Sequence, residues 1–283
     1  MRAASPSVID RGELGDSARE FARSHALSMV RALFGREFRA ALINRYFQVF
    51  CALGLMVGIA AAIFGEDANA TGVFYVQIAI YFVSLFALLA GVGSAQAERE
   101  EWQLLLTQPL PRAACVVGKF CAFLSMFGAV LSLMFVPGLL AGSSIRAPAP
   151  LYFETFSLAS TFLACGLAAG YLAHDRAQGL IVGVSAWLFL LFGLDLVALF
   201  AARWSTIQNI PDLWVALLMF NPLDSFRINA LFALQQIPAE AAHKTPLASW
   251  WIAHSSVWFI AVAVVWSAML VMVSGLRLKR WEE

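Results

Sequence analysis

The sequence predicts an all-α polytopic membrane protein with six transmembrane helices, and three observations carry that expectation. Of 283 residues, 61% are hydrophobic and 13% charged, with a mean hydropathy of +0.76. A soluble domain holds about 45–50% apolar and about 25% charged residues. This excess of apolar surface excludes a soluble enzyme or a disordered chain as readings of the whole. Six stretches reach the length of about 20 mostly apolar residues that crosses a bilayer as a helix. Runs such as LFALLAG and LFLLFG do not alternate, which excludes a transmembrane barrel. The net charge of +1 gives no footing for nucleic acid.

The elements follow in chain order. Residues 1–28 read as a flexible polar tail, with no apolar run long enough for a signal peptide. Residues 29–45 place Val30, Leu33, Phe34, Phe38, Ala41 and Leu42 at three- and four-residue steps. That spacing predicts an amphipathic helix lying along the membrane surface. The six-helix transmembrane domain, 46–276, has spans at 46–64, 74–95, 120–140, 152–172, 179–201 and 251–276. Segment 96–119 joins spans two and three, and segment 203–250 joins spans five and six. The second of these holds Leu213–Phe220 and Asn221–Leu234, too short to cross and too apolar to float in solvent. A re-entrant or interfacial hairpin satisfies both constraints. Residues 277–283 form a short tail.

Orientation follows from the basic residues. With the N-terminus inside, fifteen of the nineteen Lys and Arg fall on inner segments, leaving Arg146, Arg203, Arg227 and Lys244 outside. Both termini are therefore expected in the cytoplasm, with the chain in a plasma (bacterial inner) membrane. Cys51, Cys115, Cys121 and Cys165 all fall in apolar spans or just inside one, so neither a disulfide framework nor a cysteine metal site is expected.

No catalytic signature is present. Gly118-Lys119 lacks the leading glycine of a phosphate loop, and Phe120 stands where Ser or Thr belongs. The informative segment is EREEWQLLLTQPLPRAACVVGKF, Glu98–Phe120. Glu98, Glu100, Glu101, Trp102, Leu104, Leu105 and Leu106 describe a charged-then-apolar helix over Glu98–Thr107. Pro109 and Pro111 stop it, and Pro111 is placed to start the next helix with Arg112. Such an apolar knob needs a partner, either lipid or another protein.

LLLTQPLPR followed by GKF resembles the coupling region of ABC-2-type transporter permeases, between spans two and three. The opening REFRAALINRYF is similar to that family's RxEFR helix, and the outer NPLDSFRI resembles a segment of the NosY-like branch, which serves nitrous oxide reductase maturation. The resemblance covers roughly residues 35–280. It departs from the family at Glu100-Glu101, where Gly-Thr is common. It implies a permease subunit without a nucleotide site or cofactor of its own, with ATP and Mg held by a separate cytoplasmic ATPase subunit. It also implies two permease copies, a homodimer, with residues 98–112 docking on the ATPase, and a possible extracytoplasmic substrate-handling protein. The branch would add a role in copper-enzyme maturation.

Four polar groups lie within or beside apolar spans, toward the outer half: Gln77, Glu154, Asp195 and His254. They are the candidates for a polar pathway or outer gate, since an ionisable group in a span faces the bundle interior or water. Glu154 and His254 also fit an interfacial position, and Gln77 a helix–helix hydrogen bond. Gly54/Gly58, Gly166/Gly170 and Gly179/Gly183 permit close helix contact. Trp250, Trp251 and Trp258 fit interfacial anchoring. Two rival classes remain open: a membrane scaffold or assembly factor for an extracytoplasmic partner, and a secondary carrier, for which Asp195 alone lies near the midplane.

Overall fold

The computed structural model describes residues 31–32, 34–65, 67–105, 112–141, 148–201, 203, 211–234 and 246–279, and its regular elements there are all helical. Residues 34–43 form α1. Asn44 ends it and caps α2, Arg45–Phe64, by accepting from the Tyr46 amide at 2.9 Å. Asp67 caps α3, which runs through Ala68–Gln77, a π-helical stretch at Ile78–Val83, and Ser84–Leu105. α4 is Arg112–Leu140 and α5 is Pro148–Leu172. Asp175 caps α6, whose Arg176–Leu188 and Leu194–Ala201 flank a second π-helical stretch at Phe189–Gly193. Such side-chain caps satisfy amides that the first turn leaves without partners. α7 is Pro211–Phe220, α8 is Pro222–Ala233, α9 is Pro246–Ala253 and α10 is Ser255–Lys279.

Six helices are long and apolar enough to cross a membrane, namely α2, α3, α4, α5, α6 and α10. Their order matches the six expected spans. Two bounds differ. The second span starts at Ala68 rather than 74, because Asp67 begins the helix earlier, and the last starts at Ser255, because His254 separates it from α9.

α5 is the central post and packs on α3, α4, α6 and α10. Of its most apolar stretch 78% is buried, against 17% for α6, which lies at the rim. The central helix turns several polar side chains toward its neighbours. Tyr152 donates to the Gly128 carbonyl at 3.0 Å, and Ser160 lies 3.1 Å from Ser267 on α10. The close approach of α3 and α5 needs a missing side chain at Gly166, where any Cβ would overlap the Leu88 backbone. Gly58 does the same for α2 and α4, since a Cβ there would sit 2.6 Å from the Leu133 carbonyl oxygen. Both glycine pairs thus serve packing within the chain. A cluster of aromatic rings, among them Phe47, Phe50, Phe86 and Phe127, then fills the space between α2, α3 and α4.

Candidate functional site

The polar side chains gather at the two ends of the bundle. At the end where α4 begins, α3 continues without a break through Glu98, Glu100, Glu101, Trp102 and Leu104 to Leu105. The described part of the charged-then-apolar segment, 98–105, is thus helically continuous with the second span. Leu106, Pro109 and Pro111 lie outside the described residues, and α4 starts at Arg112.

Two turns further on, Lys119 is buried. Its ammonium donates to the Ser94 carbonyl on α3 at 3.0 Å and lies 3.6 Å from the Glu37 carboxylate on α1. A buried ammonium is tolerated only with such partners, because desolvating a charge costs several kcal/mol. Lys119 therefore ties the start of α4 to both α3 and the surface-type helix α1. Nearby, the Gln96 amide donates to the Gly170 carbonyl at 2.6 Å and fastens α3 to α5. Read from sequence, Lys119 only marks a membrane boundary; its position one residue after Gly118 in an apolar run was the available signal.

At the opposite end the organising element is α8, the NPLDSFRI segment. Asn221 caps it by accepting from the Leu223 amide at 3.2 Å. The same side chain donates to the Leu190 carbonyl at 2.7 Å, within the π-helical stretch of α6, and to Asp224. Such stretches leave backbone groups outside the regular ladder. Arg227 donates to Asp224 at 2.9 Å and reaches Asp195 on α6 at 3.5 Å. Burial raises the Asp224 pKa, while the Arg227 charge and the Asn221 hydrogen bond oppose that rise and the Asp195 charge adds to it.

A second arm leaves the other side of α8. Asn229 donates to Ser256 on α10 at 3.4 Å, and Ser256 donates to Glu154 on α5 at 2.9 Å. Phe226, fully buried between the two arms, packs on Phe259. The short helix is thereby fastened to three spans at once.

The structure thus brings two of the four polar candidates, Glu154 and Asp195, to one element. Gln77 is exposed on α3, and His254 is exposed and stacked on Trp250. The sequence reading missed Asn221, Asp224, Arg227, Asn229 and Ser256 as members of one assembly. It also placed Trp251 and Trp258 at the interface. In the fold Trp251 is buried, and Trp258 donates to the Met219 carbonyl at 3.0 Å near the end of α7. Among the described residues no three His, Cys, Asp or Glu side chains gather as a metal site.

What this arrangement can do is mechanical. It offers a polar clamp at each end of a helical bundle, and the Asp195–Arg227 pair is half open at the surface. No protein-family profile matches the chain. The chain is similar to the probable ABC transporter permease protein NosY of Pseudomonas aeruginosa, with 27% identity over 277 residues. That alignment covers 90% of this chain and 99% of the relative, so the likeness runs through the whole helical array. The six apolar helices support a multi-pass membrane protein, similar over most of its length to that permease.

Proposed function

We propose that the chain is the membrane-spanning permease subunit of an ABC-2-type, ATP-driven transporter, with the role in nitrous oxide reductase maturation that the resemblance of NPLDSFRI to the NosY-like branch implies. The observation that carries this reading is the near full-length similarity to a permease. In this reading the Lys119 end is cytoplasmic, as the distribution of basic residues favours. A separate ATPase subunit binds ATP and Mg and docks on residues 98–112. A second copy of the permease completes the pathway.

The unbroken helix from Ser84 to Leu105 supports the coupling role, because a continuous helix transmits displacement along its axis without loss at a joint. Closure of the ATPases moves its end. Lys119 passes that movement to α1 and α4 through the contacts with Glu37 and Ser94. At the far end α8 shifts against α5, α6 and α10, opening or closing the Asp195–Arg227 edge. A charged pair on the rim of an apolar bundle is costly in lipid and suits a water-filled pathway or a second copy.

The deciding experiment is co-expression with candidate ABC ATPase subunits from the same organism. A stable complex whose ATPase rate depends on the permease supports the reading. Failure of every such ATPase to bind would leave a scaffold or carrier as the better description.

A further inference from the structure

At the Lys119 end, α1 stands away from the bundle and leaves a cleft of about 590 Å³ between itself and α2, α3, α4 and α6. That volume is in the range of small-molecule sites, about 300–1,000 Å³. One side is polar and is formed by Glu37, Asn44, Ser94, Gln96, Lys119 and Arg176. The other is apolar, with Phe47, Leu89, Phe123 and Leu180. Two cations face one carboxylate, so the cleft carries net positive charge.

Two details set this cleft apart from a packing gap. The Ser94 hydroxyl on its wall is buried and has no hydrogen-bond partner, although its carbonyl serves Lys119. An unsatisfied buried hydroxyl is uncommon and calls for an explanation such as a bound group. In addition, a Cβ built on Gly93, one residue earlier, meets nothing within 4 Å. Gly91, two residues earlier on the same helix, is instead pressed against the α5 backbone. α3 is therefore tightly packed on one face and open on the face turned to the cleft.

We propose that this cleft binds an anionic phospholipid, its phosphate held on the Lys119–Arg176 side and its glycerol and upper chains on the apolar side. A hydrated inorganic anion would gain nothing from Phe47, Leu89 and Phe123, and a zwitterionic lipid would gain less from the net positive charge. Basic pockets between membrane helices are known to take anionic headgroups. The inference rests on the six-helix bundle alone and stands whether or not the chain is a transporter.

The test uses the full chain reconstituted in vesicles of phosphatidylcholine, with and without a minor share of phosphatidylglycerol. After mild detergent extraction, retained lipid is measured by mass spectrometry. The wild type should retain phosphatidylglycerol in preference to phosphatidylcholine. Gly93→Phe, which fills the cleft, should lower the retained phosphatidylglycerol about tenfold, a change equal to about 1.4 kcal/mol. Arg176→Gln, at an exposed position where misfolding is not expected, should reduce the preference several-fold. Equal retention of both lipids by the wild type, or undiminished phosphatidylglycerol in either variant, would overturn the proposal. Release of the lipid by inorganic phosphate alone at unchanged ionic strength would likewise overturn it, marking a free-anion site.

Discussion

Arg227 is the residue on which the outer polar assembly depends, because it alone supplies charge to two carboxylates. Asp224 is the more demanding partner, with its side chain only 3% exposed, whereas Asp195 is 47% exposed. Removing the guanidinium leaves a buried carboxylate that keeps the Asn221 amide as a donor. An acceptor left in that state costs about 1–3 kcal/mol. Arg227→Met should therefore lower the melting temperature in detergent more than Asp195→Asn does. Adding Asp224→Asn to Arg227→Met should recover part of the loss, which a thermal-melt double-mutant cycle measures. In transport assays Asp195→Leu should reduce activity by more than it reduces the amount of protein in the membrane. Full activity would show the carboxylate to be dispensable. Glu154 and Asp195 were legible from sequence because an acid inside an apolar run stands out. Asn221 and Arg227 were not, because Leu190 and Asp195 on α6 lie 31 and 32 residues away in sequence, and the three-residue spacing of Asp224 to both reads as an ordinary contact within one helix.

Elements were legible to the extent that their signals are local. Apolar length gives the spans, and the N-caps Asn44, Asp67, Asp175 and Asn221 are all residue types that favour helix starts. The two π-helical stretches have no such signature. They lie at neighbouring positions of α3 and α6, where the Trp187 indole donates to the Ser84 hydroxyl at 2.9 Å. Nor does the sequence say that α3 runs unbroken to Leu105, since a charged patch at Glu98–Glu101 looks like the end of a span. This continuity sharpens the expectation for docking. Leu105→Asp places a charge at the tip of a long rigid helix, and burying it unpaired in a groove costs several kcal/mol. The ATPase should no longer co-purify, while the permease is still found in the membrane. Trp102→Ala should be milder. Lysines at Glu100 and Glu101 should weaken docking most at low salt, where surface charges are least screened. A Leu105→Asp variant that keeps stoichiometric ATPase would end the coupling role assigned to this helix.

For the whole molecule, the order and number of spans follow from composition, but their arrangement does not. That α5 is central and α6 peripheral depends on which small residues face each other, as at Gly166 against Leu88. Sidedness is testable by cysteine labelling. Residues 68 and 238 should react from outside, and residues 112, 175 and 283 from inside. Labelling of residue 238 from the cytoplasm would reverse the last span and the proposed direction of coupling.

The central position of α5 has a consequence for biogenesis. It is the least apolar of the six spans, and it carries Glu154 and a run of hydroxyl side chains whose partners lie partly on α10. A charged residue at mid-helix costs about 2.5–3.5 kcal/mol on leaving the translocon, and less near a helix end, as here. While α10 is still unmade, Ser256 and Ser267 are missing, so α5 leaves the translocon with Glu154 lacking its Ser256 donor and its hydroxyls bonded within their own helix. In nascent chains halted after α5, that span should still crosslink to the translocon, whereas in chains extended through α10 the crosslink should be lost. Fourth in synthesis, α5 would be the last span to settle.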